Sequence, residues 1–303
     1  MDSSLRELLD RIPEFRGRDA EVTPLAGGIT NRNFRVDVGG SAYVLRVASP
    51  ESGQLGIRRD HECACMRIAA SLGIGAEVVR AMPDDGVLVA RFLDGEPLSL
   101  EQAKEPERLK RIVQAIRRFH DGPAFPGPFS PFETVRDYHR RALERGVHFP
   151  DELPEAFARM ARIEDAVAGR QRCVPCHNDL LAANLIDDGE KIWIIDWEYA
   201  AMGDPFFDLG NFAVNQALSA GESDRLLAHY FGEIRERDRA QLELMKLASD
   251  IREAFWGFLQ SGISALDFDY PAYGMKHVER FLTGASRPEF DAWIESFAGG
   301  ARR

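Results

Sequence analysis

Asp179, Asn184 and Asp196 stand together in the stretch CHNDLLAANLIDDGEKIWIIDWEYA, residues 176–200. Asn184 follows Asp179 by five positions, and Asp196 closes the apolar run Ile192-Trp193-Ile194-Ile195. A carboxylate can receive the proton of an attacking hydroxyl. An amide and a second carboxylate offer magnesium the hard oxygen ligands it requires, shared with the phosphates of a nucleotide. The spacing points to phosphoryl transfer from ATP, with Asp179 as base and Asn184 and Asp196 as ligands of Mg2+. Asp and Asn also populate ordinary turns, so Asp179 and Asn184 alone would carry little. His177, two positions before Asp179, and Asp196, twelve after Asn184 at the end of an apolar strand, set this stretch apart.

Such groups must be held by regular elements. VPCHNDLLAANLI ends in a short strand, Asp187-Asp188-Gly189-Glu190 makes a turn, and KIWIID is the returning strand. That hairpin fixes Asn184 and Asp196 at one end, with Asp179 in the loop just before it. The order His, Asp, Asn matches the kinase catalytic-loop pattern H-x-D-x-x-x-x-N.

The N-terminal third supplies an independent check. AEVTPLAGGITNRNFRVDVGGSAYVLRVAS reads as three antiparallel strands, near 21–26, 33–38 and 42–48, joined by Gly27-Gly28-Ile29-Thr30-Asn31 and Gly39-Gly40. Phosphoryl transfer needs a turn over the phosphates and a cation on the third strand, paired to a helix glutamate. GGITNRNF lies where that turn must lie, although it is neither G-x-G-x-x-G nor a Walker sequence. Gly28 allows close backbone approach, and Thr30, Asn31 and Asn33 offer donors to the nucleotide. Arg46 stands on the third strand and Glu62 on the helix that follows. Its guanidinium offers phosphate a planar fork rather than the compact charge of lysine. A lone Arg–Glu pair is worth little; its place ahead of the catalytic loop favours a nucleotide-facing role.

Helical spacing runs from Arg58 to Leu72 and stops at Gly73. A hairpin follows with Pro83-Asp84-Asp85-Gly86 as its turn. Beyond LDGEPL, helical patterns dominate: Glu105–His120, Glu152–Ala168, Asp204–Leu218 and Arg237–Leu259. The segment 121–135, rich in Pro, Gly and Phe, reads as a surface connection. The expected fold is α+β and bilobal: a small antiparallel-sheet lobe over 1–94, covering the nucleotide, and a larger, mainly helical lobe over 95–303, carrying the catalytic loop, metal site and acceptor pocket.

The 303 residues suffice for two lobes. A net charge of −11 argues against a large nucleic-acid footprint and suits a small cationic partner. No apolar stretch approaches the roughly 20 residues that cross a bilayer, and the N-terminus lacks the apolar core of a signal peptide; the expected compartment is the cytoplasm. Cys63 and Cys65 are too close on one helix to share a zinc face, so they and the pair Cys173 and Cys176 read as free thiols.

The chain resembles the choline/ethanolamine kinase family, within the aminoglycoside-phosphotransferase-like group with a protein-kinase-like fold. LAGGITNRNFRV, YVLRV, HNDLLAANLI, IIDWEYAAMGDPFFDLGN and REAFWGFLQSGISALDFDYPAY carry the likeness, which spans about Leu25 to Phe281. It implies Asp179 as base, Asn184 and Asp196 as magnesium ligands, and Glu198 and Tyr199 near the alcohol. Eukaryotic choline kinases carry a glutamine where this chain has Leu181, which leaves the particular amino alcohol open. Choline's quaternary nitrogen cannot donate a hydrogen bond, so aromatic faces and carboxylates must hold it. Trp256, Tyr270 and Tyr273, with Glu198 and Tyr199, are the candidates, and Asp267 and Asp269 lie nearby. An aromatic such as Trp256, between Phe255 and Phe258, also suits a helix core. Asp208 is expected to brace the catalytic loop, and His177 to pack and hydrogen-bond. Three activities stay open: an amino-alcohol kinase; a kinase of another cationic metabolite or drug, such as thiamine or an aminoglycoside; and a non-catalytic nucleotide-binding module.

Overall fold

The computed structural model describes residues 3–25, 31–169 and 172–297. Helix α1 (Ser3–Arg11) precedes the strands β1 (Ala20–Leu25), β2 (Asn31–Val38) and β3 (Ser41–Ala48). Helix α2 (Arg59–Ser71) follows, then β4 (Val78–Met82) and β5 (Val87–Arg91). These five strands form one antiparallel sheet in the order β1-β2-β3-β5-β4. Buried and part-buried positions alternate along β2, so Phe34, Val36 and Val38 line one face. Leu9, Ile12 and Phe15 cover that face beside Leu45, Val87 and Val89.

Strand β6 (Glu96–Pro97) already belongs to the second part of the molecule, pairing with β8 (Leu185–Asp187), which pairs with β9 (Ile192–Ile194). We therefore propose the lobe boundary within 92–95, consistent with lobes over 1–94 and 95–303. Between β6 and the site run α3 (Leu100–Lys104), α4 (Pro106–His120), α5 (Pro131–Leu143) and α6 (Leu153–Val167). Strand β7 (Val174–Cys176) pairs with β10 (Ala201–Gly203), and these two bracket the catalytic segment in sequence. Then come α7 (Pro205–Asn215), α8 (Ala220–Phe231), α9 (Glu236–Ser261), α10 (Tyr270–Ala285) and α11 (Glu289–Glu295).

Helix α9 is the central beam. It is buried along most of its length and contacts α5, α7 and α10. Its crossing with α10 is unusually close because two glycines face each other. A Cβ on Gly257 would lie 2.9 Å from Tyr273 Cδ1 and 3.1 Å from Gly274 N; one on Gly274 would lie 2.8 Å from Phe258 Cε1. The large core joins both lobes, running from Cys65, Ala69, Leu88 and Ala90 to Leu185, Ile194 and Phe255.

The expected surface connection over 121–135 is only partly one. Ser130 caps α5, Pro131 occupies its first turn, and Phe125 and Phe132 are core residues. The cysteines are free thiols: Cys63, Cys65 and Cys176 are buried and Cys173 is exposed. Burial pushes the Cys65 thiol up to about 12.

Candidate active site

The catalytic loop leaves β7 at Cys176. Asn178 and Asp196 both adopt left-handed backbone, φ 65° and 64°, which is uncommon for non-glycine residues and found at functional sites. Asp208, in the first turn of α7, holds the loop: it accepts the backbone N–H groups of His177 and Asn178, each at 2.7 Å. Its Oδ2 also meets His120 Nε2 at 3.0 Å, and His120 Nδ1 meets the Tyr230 hydroxyl at 2.7 Å. The His177 ring bridges the two halves of the site. Nδ1 accepts the Asp179 N–H at 3.3 Å, so Nε2 is the donor to Ile195 O at 2.9 Å. Burial lowers its pKa, which keeps the ring neutral in that role. Asn184 Nδ2 donates to the Asp179 carbonyl at 3.0 Å.

The Asp179 carboxylate is largely enclosed. Desolvation raises its pKa to about 7, opposed chiefly by Arg252 and reinforced by Glu253 and Glu198. Arg252 Nη1 lies 3.9 Å from Asp179 Oδ1. Burial pulls the Arg252 guanidinium down, but the carboxylates and phenols around it, Glu253 foremost, leave its pKa raised.

Toward the sheet lobe lies a mixed-charge cluster. Arg46 on β3 pairs with Glu62 on α2, and its Nη1 stands 3.9 Å from Asp196 Oδ1. Arg59 Nη1 binds Glu62 Oε2 at 2.8 Å and Glu198 Oε2 at 3.2 Å, while its Nη2 donates to Asn31 Oδ1 at 2.9 Å. Asn31 Nδ2 donates to Glu198 Oε2 at 3.2 Å. Asp196 Oδ1 is buried with no hydrogen-bond partner. Ligand atoms of Glu62, Asp196 and Glu198 all lie within 4.8 Å of one another. Desolvation raises Asp196 to about 6 and Glu198 to about 7. Carboxylates crowded at this cost, one with an orphaned oxygen, suit a hard divalent cation. Glu62 is already committed to two guanidinium groups.

Trp256, Tyr199, Tyr270 and Tyr273 converge. Trp256 Nε1 donates to the Tyr199 hydroxyl at 3.1 Å, and the Trp256 ring meets Tyr270 and Tyr273 edge-on, centroids 6.0 and 5.8 Å apart. Trp256 is only 8% exposed, so much of its ring is committed to packing. Glu198, expected beside these rings, lines a cavity with Tyr199, while its carboxylate bonds Arg59 and Asn31 and stands near Asp196. The carboxylate bonded into the aromatic cluster is Glu253, whose Oε1 accepts the Tyr273 hydroxyl at 2.5 Å. Asn33 sits on β2 opposite Arg46; Gly28 and Thr30 lie outside the described residues.

Arg59, His120, Arg252 and Glu253 escaped the sequence reading. For Arg252 a signal existed: it shares the α9 stripe of Ala248 and Trp256, a charge on an otherwise apolar face. For His120 there was none, because its partner Asp208 is 88 residues away.

An enclosed carboxylate in a braced loop, with crowded carboxylates beside a strand-borne guanidinium, is the arrangement that phosphoryl transfer requires. Residues 21–244 match the phosphotransferase enzyme family. A choline/ethanolamine kinase family protein from Mesorhizobium loti, of known structure, is 30% identical. It superimposes with a TM-score of 0.86 over 98% of this chain and 99% of that one. Protein LicA of Haemophilus influenzae is 28% identical over 225 residues, 72% of this chain; the match spans 65% of LicA's length. A probable ethanolamine kinase A of Dictyostelium discoideum is 27% identical over 312 residues, covering 89% of this chain and 88% of that protein. The chain belongs to the choline/ethanolamine kinase family of phosphotransferases and has its bilobal, protein-kinase-like α+β fold. It is an ATP-dependent phosphotransferase with an alcohol group as acceptor. No described helix is long and apolar enough to cross a membrane.

Proposed function

We propose that the protein transfers the γ-phosphoryl group of ATP to the hydroxyl of a small amino alcohol of the choline and ethanolamine class. The observation that carries this reading is the position of Asp179. Its enclosed carboxylate feels the charges of Arg252, Glu253 and Glu198 and adds to the charge crowding at Asp196, while Glu253 ties it to the aromatic cluster through Tyr273. Asp179 receives the hydroxyl proton, and a raised pKa near neutrality suits a group that takes a proton in the transition state. Arg46 and Arg59 face the phosphates. Asn184 and Asp196, with Glu198 close by, would hold Mg2+, which supplies neutralisation of the phosphate charge when bound. Asp208 and His177 keep the loop in its left-handed turn while charge redistributes. Trp256, Tyr199, Tyr270 and Tyr273 wall the acceptor end. The compartment in this reading is the cytoplasm, which keeps thiols such as these four free cysteines reduced.

The probable choline kinase and ethanolamine kinase relatives support the acceptor class. The test is a coupled assay of ADP release with the purified chain, magnesium and a panel of choline, ethanolamine, thiamine and aminoglycosides. Turnover confined to the amino alcohols is expected. Efficient turnover of thiamine or an aminoglycoside, with the amino alcohols inert, would overturn the reading.

A further inference from the structure

A quaternary ammonium is held by aromatic faces, whereas a primary ammonium is held by acceptors of its N–H groups. The acceptor end of this site offers the second kind of contact more than the first. The Arg252 guanidinium already covers one face of Tyr199, its carbon 4.5 Å from the ring centroid. Trp256 gives its ring to Tyr270 and Tyr273 and its N–H to Tyr199. Tyr270 is itself 2% exposed. The protein's own cation and its ring–ring contacts thus occupy surfaces that a trimethylammonium group would need.

Glu253 is disposed differently. Its side chain keeps 20% of its exposure, beside an Arg252 side chain at 2%. Oε1 accepts the Tyr273 hydroxyl at 2.5 Å and Oε2 accepts Arg252 Nη1 at 2.9 Å. Each carboxylate oxygen can accept a further bond, and two fixed donors hold the group in one orientation. The same Arg252 Nη1 that binds Glu253 lies 3.9 Å from Asp179 Oδ1. One guanidinium nitrogen therefore separates the carboxylate that meets the hydroxyl from a second carboxylate, a spacing suited to a short acceptor with a hydroxyl at one end and an ammonium at the other. The Arg252 side chain is 2% exposed, bonded through Nη1 to Glu253 and packed over Tyr199, so this cation is held in place by burial and contact. A fixed positive charge penalises a second cation that cannot offset the repulsion by hydrogen bonding.

Resting on the amino-alcohol reading above, we propose that Glu253, oriented by Arg252 and Tyr273, is the ammonium subsite and selects a primary ammonium over a quaternary one. Arg252 acts as a positioning residue for Glu253 and as the element that disfavours the quaternary group.

The experiment is steady-state kinetics of the full chain with ethanolamine, its N-methyl and N,N-dimethyl derivatives, and choline, at saturating ATP and magnesium. In the unaltered protein kcat/KM should fall with each added methyl. Glu253→Gln should lower kcat/KM for ethanolamine by about 10- to 100-fold, the worth of one charge-assisted hydrogen bond. The loss should fall mainly on KM, with the KM for ATP unchanged and choline affected less than about threefold, so that selectivity collapses. Glu253→Asp, which keeps the charge, should recover part of the preference. The methyl series on the unaltered protein needs no variant to fold. Choline turned over as well as or better than ethanolamine, or an equal loss for both in Glu253→Gln, overturns the inference and leaves the amino-alcohol reading standing. Turnover of none of the four overturns both.

Discussion

At the scale of single residues the site is an arrangement of charges that the fold forces close together. Asp179 is the group whose removal should separate binding from chemistry. Asp179→Asn keeps the shape but cannot take a proton, so kcat should fall roughly 10²- to 10⁴-fold while nucleotide affinity stays within a few-fold. Single-turnover kinetics together with a nucleotide-binding titration checks this, and turnover at the original rate would remove Asp179 from the role of base. Asp196 and Asn184 should differ from each other. A carboxylate contributes full charge to a divalent cation and an amide only a dipole, and Asp196 Oδ1 has no hydrogen bond to lose. Asp196→Ala should therefore weaken magnesium-dependent nucleotide binding more than Asn184→Ala. Magnesium titrations that are unchanged in both variants would sink the assignment. Removing Asn184 has a separate effect, because its Nδ2 also pins the Asp179 carbonyl.

At the scale of elements, function depends on where helices cross. Helix α10 delivers Tyr270 and Tyr273 to Trp256 on α9 because Gly257 and Gly274 let the two backbones approach. In Gly257→Ala a gain in helix propensity of about 1 kcal/mol meets overpacking of about 1–3 kcal/mol. The new methyl would face the Gly274 backbone as well as a tyrosine ring, and backbone cannot rotate away. Overpacking should win: the melting temperature drops, and the acceptor KM rises with little change for ATP. A raised melting temperature with unaltered kinetics would show the crossing to be slack. This crossing also shows what sequence could and could not reveal. Strands β1 to β5, α2, and the hairpin of β8 and β9 were legible because each is coded locally, by alternation, by turn residues or by a stop such as Gly73. Helix α10 was not, since its buried face is built from Tyr270, Gly274 and His277 as much as from Val278 and Phe281, which dilutes the apolar period. The proposed base Asp179, the proposed metal ligands Asn184 and Asp196 and the strand cation Arg46 could be named from spacing within one segment or from their order along the chain. The placement of Glu198 and the proposed roles of Arg252, Glu253 and Arg59 depend on contacts between segments 20 to 167 residues apart, as between Tyr273 and Glu253 or Asn31 and Glu198, and no local pattern carries these.

At the scale of the whole molecule the question is what keeps the β8–β9 hairpin, between Asn184 and Asp196, in register with both lobes. Toward the sheet lobe, Ile194 N donates to Ile74 O at 2.7 Å, just beyond the end of α2. Toward the helical lobe, Asp187 closes the hairpin against α4: Arg108 Nε binds its Oδ2 at 2.9 Å, and Arg111 binds both oxygens at 2.7 Å. The Asp187 side chain is 10% exposed and the two arginines are half-buried, so water screens this bidentate clamp less than the fully exposed pairs elsewhere on the chain. Hydrogen bonds from Arg111, against the cost of desolvation and with help from Arg108, hold the Asp187 pKa down from 3.8 to about 2. A carboxyl whose folded pKa lies below its unfolded value contributes stability that is fully present above about pH 4 and is lost as pH falls through about 2, since the folded state then has to take up the proton it excluded. Asp187→Asn should cost about 1–3 kcal/mol at pH 6, the range for charged hydrogen bonds. The gap from the unaltered protein should narrow steadily as the pH is lowered from 5 toward 2.5. Urea unfolding curves at a series of pH values measure this directly. A gap that stays constant across that range would mean that the clamp acts through its shape and not its charge. Since β8 follows Asn184 directly and β9 runs toward Asp196, loosening the clamp at pH 6 should also raise the magnesium concentration needed for half-maximal nucleotide binding, although Asp187 itself ends β8 and is not one of the proposed metal ligands.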